Sequence, residues 1–288
     1  VAPSRGLGDV YKRQDVDLRR CDLLARKLPE MEQWVNENCA DDPAARWENT
    51  YICHQVQRRK SGEPMELETM DYIRAMTYAI LSNSMDWRCI AHDVDLRTGR
   101  LRNVDKALKV YLDNKQDLSA AFEENRVRFR FKKRQIPAVE ENFQYFNNNA
   151  ADLPAKYAKM SADGTDFWPL VQAIAHGKPE DGYKLAQIGP ALACEYLRNL
   201  GYDIPKPDRH LCRLLGSERL QFFNQPMPEL EEVYNLVRRV ANSSKSNYGP
   251  AQADYILWSY CAIGYGNMCN GKNRACKDCC LSDLCAQK

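Results

Sequence analysis

The sequence predicts an all-α protein, and three observations carry that prediction. Apolar residues recur at helical spacing along most of the chain: Met70, Ile73, Met76, Ile80 and Leu81 form one stripe, and Leu192, Tyr196, Leu197 and Leu200 another. No long alternation of apolar and polar residues occurs, and only the short run 126–131 mimics a strand. Clusters of Gly, Pro, Asn and Ser punctuate the helical stretches where a backbone must turn. In chain order these breaks are Ser61-Gly-Glu-Pro64, Thr98-Gly99, Asn147-Asn-Asn149, Gly177-Lys-Pro179, Pro205-Lys-Pro207 and Asn242-Ser-Ser-Lys-Ser246. Val1 stands where Met opens most chains, and Asp9-Val-Tyr-Lys-Arg-Gln14 reads as the translation of a sequencing-library adapter. Residues 1–14 are therefore expected to be non-native and are set aside from the fold.

The chain has 288 residues, 44% hydrophobic and 28% charged, enough to bury one or two ordinary cores. No stretch reaches the roughly eighteen apolar residues of a membrane span, so no membrane partner is expected. Twelve cysteines are enough for six disulfides, but a chain of this length does not need them, and a cysteine-held metal loop wants a reducing compartment. A cytoplasmic, nucleoid-associated monomer is expected. A net charge of +2 excludes a polycation, so any nucleic-acid affinity must come from how the charges are distributed. Arg126-Val-Arg-Phe-Arg-Phe-Lys-Lys-Arg134 holds six cations in nine residues, no acid, and the interleaved Phe129 and Phe131. Two readings are open: Arg128, Arg130 and Lys133 neutralise duplex phosphates, or the run is a solvated turn ahead of a helix.

Four cysteines near the C-terminus, Cys269, Cys276, Cys279 and Cys285, are spaced C-x6-C-x2-C-x5-C. The loop is too short for a hydrophobic core, and four thiolates suit a soft centre: an iron-sulfur cube, or tetrahedral zinc as the alternative. A non-metal role is the third reading. Zinc ribbons usually close with a second C-x2-C or a His pair, whereas here there is one C-x2-C and no histidine beyond His210. Cys261 and Cys280 fall outside the spacing and are expected to be small buried or tolerated residues.

A nearly all-apolar segment, 253–264, leads into this loop, and Asp283-Leu284-Cys285 ends it. Helix, spacing and ending together resemble the C-terminal cluster loop of endonuclease III-like enzymes, in the helix-hairpin-helix superfamily of base-excision DNA glycosylases. The resemblance implies a 4Fe-4S cluster and two helical domains. One is a six-helix barrel with the hairpin, near residues 66–205, and the other is a cluster domain assembled from residues 15–65 and 206–288. Periodicity by itself does not show which helices touch.

Leu185-Ala-Gln-Ile-Gly-Pro-Ala-Leu-Ala193 resembles the family's hairpin pattern L-P-G-I-G-x-K-T-A. In such a hairpin a tight turn leaves backbone N–H groups at a helix start free to grip a DNA phosphate. Gly189 is expected to keep the key turn. Gln187 stands in place of the first glycine, Ala186 in place of proline, and Ala191 in place of the lysine that attacks the sugar in bifunctional members. Lys184 and Lys206 lie at other positions of the pattern and are expected to face solvent or phosphate. A monofunctional enzyme follows, with water completing the displacement. The alternative for the segment is an ordinary helix-turn-helix packing contact.

Seventeen residues beyond Ala191 comes Asp208, followed by Arg209 and His210, where the family places its catalytic aspartate. A carboxylate beside C1′ stabilises oxocarbenium character and orients or deprotonates water. Asp208 is equally suited to cap the helix that begins after it, and both roles are compatible. Arg209 is carried as a DNA contact. Ala79-Ile-Leu-Ser-Asn-Ser-Met-Asp-Trp87 resembles the segment that supplies the wedge filling the gap left by a flipped base. This makes Ser84 the counterpart, flanked by Asn83 and Met85, although serine is short for a base-sized gap. Trp87 and Trp168 are expected either to stack on a base or, as is commoner, to lie in the core. The chain thus reads as a DNA glycosylase-like enzyme acting on double-stranded DNA with a modified base. A non-catalytic DNA- or RNA-binding protein on the same scaffold is the alternative.

Overall fold

The computed structural model describes residues 7–62, 66–114, 117–161, 164–270 and 275–287, with 7–17 and 114 described by backbone alone. The first part of the segment set aside, residues 1–6, lies outside the described residues, whereas 7–14 is helical backbone continuous with the first helix. Among the described residues the structure is all-α, without a strand. The helices are α1 (Leu7–Asn38), α2 (Tyr51–Lys60), α3 (Thr69–Leu81), α4 (Arg88–Ala91), α5 (Arg102–Asn114), α6 (Leu118–Glu124), α7 (Lys132–Asn149), α8 (Leu153–Lys159), α9 (Trp168–His176), α10 (Pro190–Asn199), α11 (Arg209–Leu215), α12 (Leu230–Ala241) and α13 (Pro250–Cys261). The strand-like run 126–131 is an irregular connection between α6 and α7. Asn147-Asn-Asn149 does not break a helix but forms the last turn of α7. No helix among the described residues is long and apolar enough to cross a membrane, and none of the cysteines among the described residues is in a disulfide.

The chain divides into two compact units, one running from Asp41 to Lys206 and one built from both ends of the chain, up to Ala40 and from Pro207. In the first, α3 is central. The sequence suggests a single apolar stripe, yet every residue from Tyr72 to Leu81 is buried, because α7 and α10 both pack against this helix. The one charge in that stretch is paired: Arg74 bonds Asp71 at 2.9 Å and Asp105 at 2.8 Å. Asp105 also accepts from the Tyr78 hydroxyl at 3.1 Å. Likewise α10 is buried from Ala193 to Asn199, against α2, α3 and α9.

The boundary of this unit falls earlier than residue 66, because α2 packs on α10. Gly201, at φ +88°, lets the Gln55 carbonyl come so close that a Cβ would sit 2.6 Å from it. Arg59 donates to the Leu200 carbonyl at 3.1 Å and lies 4.1 Å over the Tyr202 ring. Residues from Asp41 to Gly62 therefore belong with the central helices rather than with the chain ends.

In the other unit α1 packs on α12 and α13, and α11 on both of the latter. Leu24, Leu28, Met31 and Val35 of α1, Val233, Val237 and Val240 of α12, and Ile256 and Leu257 of α13 are all buried. Polar ties hold α1 to α13 and its flanking loops: Trp34 Nε1 donates to the Gly266 carbonyl at 2.8 Å, and Glu32 accepts from Tyr248 at 2.9 Å and Gln252 at 3.2 Å.

Candidate nucleic-acid interface and cysteine loop

The hairpin segment connects α9 to α10, and its geometry differs from the expectation at one point. Gly189 has an ordinary extended backbone, φ −92° and ψ 178°, and serves as the N-cap of α10. The left-handed residue is Gln187, at φ +56°. The glycine-type turn is thus kept by a residue that carries a side chain, at a cost of roughly 1–2 kcal/mol. Gln187 is exposed, so the amide is not held by packing. Replacing Gln187 by Gly should raise stability by about 1 kcal/mol, part of the relief being returned as unfolded-state entropy. Urea melts check this, and a loss of stability would show that the Gln187 side chain supports the turn.

What holds the strained turn is Asn142, a buried amide on α7. It donates to the Ala186 carbonyl at 3.1 Å and accepts the Ala186 N–H at 2.7 Å, clamping one residue's backbone from both sides. Leu185 and Ile188 are buried beside it. Lys184 crosses the loop to bond the carbonyls of Ala175 and, at 3.4 Å, Ile188, and burial lowers its pKa. Pro190 brings no N–H to the first turn of α10, and the first intrahelical bond runs from Ala193 N–H to the Gly189 carbonyl at 2.8 Å. The N–H groups of Ala191 and Leu192 precede it and have no acceptor within the helix. A Cβ at Gly189 would meet nothing within 4 Å, so this helix start is open to approach.

Ser84, the wedge candidate, follows α3 and is also left-handed, at φ +60°. Its carbonyl accepts a hydrogen bond from Arg130, joining the Ser84 turn to the basic run. Arg126, Arg128, Arg130, Lys132, Lys133 and Arg134 lie on the surface. Lys132 pairs with Glu123, whereas Arg126, Arg128, Lys133 and Arg134 form no ion pair among the described residues. The two phenylalanines separate in role: Phe129 turns inward onto Phe122, with ring centroids 4.9 Å apart. Phe131 stays 39% exposed between the guanidinium groups of Arg130 and Arg134, each 5.5 Å from the ring centre.

Gln135, buried one turn into α7, donates to the Ile80 carbonyl at 3.0 Å and accepts the Phe131 N–H at 2.8 Å. Gln135 and Asn142 are seven residues apart, two turns or about 10 Å along one face of α7. One amide secures the end of α3 and the junction of the basic run with α7, and the other secures the hairpin. Helices α3 and α10 run antiparallel: Asn199 bonds the Ala75 carbonyl at 3.1 Å, while Lys206 reaches Ser82 at 3.5 Å and Glu195 at 3.4 Å. The Ser84 turn and the hairpin therefore leave the same end of the helix pair. Burial would raise the Glu195 carboxyl, but Lys206 and Arg198 outweigh it and hold it below its ordinary range. Lys206 is thus a buried-pair partner rather than the solvent-facing or phosphate-facing residue expected, and Lys184 is engaged with loop carbonyls. Trp168 is 6% exposed and belongs to the core, so it does not stack on a base. Trp87 is half-buried and its carbonyl accepts from Ala91 N–H at 2.8 Å at the start of α4.

In the other unit, Asp208 is the N-cap of α11. Its Oδ1 accepts from the N–H of His210 at 2.8 Å and of Leu211 at 3.1 Å. The carboxylate is half-buried and Arg209 is exposed at the first helical position. Capping uses one carboxylate oxygen and fixes the direction of the other, so it does not exclude a second role.

The apolar helix α13 does not run straight into the cysteine loop. It ends at Cys261, and a turn through Gly264 and Asn267, both at positive φ, doubles back along the helix end. Gly266 N–H bonds the Ser259 carbonyl at 2.9 Å and Met268 N–H bonds the Tyr260 carbonyl at 3.0 Å. This reversal brings Cys269 beside the buried Cys261: their hydrogen bond, together with burial, pushes the Cys261 thiol well up. Burial also raises Cys279, and Cys269 and Cys285 push it the same way, placing three of the four expected ligands within electrostatic range. Cys276 is exposed. Among the described residues no group of three His, Cys, Asp or Glu side chains has closed to metal-ligand geometry; residues 271–274 of the loop lie outside the described residues.

The surroundings nevertheless fit a thiolate-held centre. Tyr260, buried, accepts the Cys280 N–H at 3.1 Å and donates to Cys279 Sγ at 3.5 Å. Arg219 is buried close by, with Nε and Nη1 lacking hydrogen-bond partners. Sequence reasoning does not single out Gln135, Asn142, Tyr260 or Arg219. A trace exists only for Asn142, a polar residue on the apolar face formed by Val139, Phe143 and Phe146. Comparison with family models, with curated proteins and with solved structures found no match.

Proposed function

We propose that this chain binds duplex DNA through its central unit and, as an endonuclease III-like helix-hairpin-helix glycosylase, hydrolyses the N-glycosidic bond of a flipped modified base. The observation that carries this reading is the tethering of three predicted DNA-contacting segments to α7: the basic run at its start, the Ser84 turn and the hairpin. Phosphates would meet the cations of 126–134 and the free N–H groups of the α10 first turn. Ser84 is too small to replace a base, but Phe131, next in sequence to the Arg130 that bonds the Ser84 carbonyl, is exposed and has the size and flat face to fill the gap. Asp208 would hold and deprotonate a water whose oxygen bonds C1′ as the C1′–N electron pair leaves with the base. Ala191, with Lys184 and Lys206 already engaged, supports release by water rather than by an amine.

The four-cysteine loop would hold a 4Fe-4S cluster, with zinc as the alternative, through Cys269, Cys276, Cys279 and Cys285. When bound, such a centre ties the short loop together, work that its few apolar residues cannot do.

The deciding experiment incubates the full chain with duplexes carrying a panel of base lesions, followed by alkali. Breaks that appear only after alkali, with no borohydride-trapped adduct, are the expected result. Binding without breaks on any lesion would instead favour a non-catalytic DNA- or RNA-binding protein, a reading that the completed capping role of Asp208 supports. Independently, Arg128, Arg130 and Lys133 changed together to Ala should weaken binding to all sequences. The slope of log affinity against log salt should become shallower by about 0.9 for each phosphate no longer neutralised. Unchanged slope and affinity would reduce the run to a solvated turn.

A further inference from the structure

Arg219 lies in the turn after α11, 3% exposed, with two guanidinium nitrogens lacking hydrogen-bond partners. A guanidinium does not deprotonate in a protein, so a buried one is costly unless an anion stands near it. The Arg219 carbonyl accepts the N–H of Ala286, the residue after Cys285, at 2.8 Å. The C-terminal end of the cysteine loop is therefore fastened to the Arg219 backbone, yet no carboxylate pairs with the guanidinium among the described residues.

We propose that Arg219 is the internal counter-ion of an anionic tetrathiolate centre in this loop, an inference that rests on the cofactor reading above. Four thiolates on divalent zinc leave two negative charges uncompensated, and a cube held by four thiolates is likewise anionic. A fixed guanidinium beside such a centre stabilises the loaded state, and without the anion it is an unpaired buried charge. Tyr260 works in the same direction: its hydroxyl, oriented by the Cys280 N–H, donates its hydrogen bond to the Cys279 sulfur.

The test uses the full-length protein purified anaerobically as wild type, Arg219→Lys and Arg219→Gln. Iron, acid-labile sulfide and zinc are counted, and loss of metal to excess EDTA is timed. Arg219→Gln should lose metal about 10- to 100-fold faster than wild type, while Arg219→Lys, which keeps the charge, should stay close to wild type. Metal held equally long by Arg219→Gln, or lost as fast by Arg219→Lys, overturns the counter-ion role. Should Arg219→Gln fail to fold, the Lys variant decides, because it must retain metal. Iron with sulfide identifies a cube, and zinc without iron the alternative. A wild-type protein with neither overturns the centre itself, and the counter-ion with it.

Discussion

Asp208→Asn is expected to lower base release by about 100- to 1000-fold, the scale on which a single transition-state electrostatic contact acts. Asparagine caps helices as well as aspartate does, and its side-chain oxygen can accept the same two N–H bonds from His210 and Leu211 that Oδ1 accepts now. The variant should therefore fold with wild-type stability and bind duplex with near wild-type affinity, isolating the loss of charge. Asp208→Ala should lose the same activity and a further stability of about 1 kcal/mol, because the cap goes with the carboxylate. Single-turnover base release, urea melts and duplex binding separate these effects. Full activity in Asp208→Asn would leave Asp208 as a cap alone.

Asn142→Ala should be the most damaging single change within the proposed interface, although Asn142 would touch no DNA. It removes both hydrogen-bond partners of the Ala186 backbone at once, and leaving such groups unsatisfied costs about 2 kcal/mol. The same clamp holds Gln187 in its left-handed conformation, so duplex affinity should fall at every salt concentration with the salt slope preserved. Loss of the Arg128, Arg130 and Lys133 charges should instead change the slope. The two signatures distinguish misplaced backbone donors from missing cations. An Asn142→Ala protein with wild-type affinity would show that the hairpin is an ordinary helix-turn-helix packing element.

The all-α architecture is legible in the sequence because it is written in local periodicity and in breakers such as Gly177-Lys-Pro179, which act within a few residues of themselves. The outward-facing cations of 126–134, the capping by Asp208 and the spacing of the four cysteines are legible for the same reason: each depends on residue type and short-range order. Tertiary structure decides the rest. That α3 and α10 are buried all round, that residues from 41 belong with them, and that Arg130 meets Ser84 across 46 positions all depend on which helices pack together, and apolar stripes do not encode partners. Gln187 is the sharpest case. Its sequence position suggests a damaged glycine turn, yet the turn is kept, because a buried amide 45 residues earlier supplies the hydrogen bonds that outweigh the strain of a left-handed side-chain-bearing residue. Arg219 follows the same logic. An arginine in a loop reads as solvated until packing removes its water, and only then does its unpaired charge point to an anion.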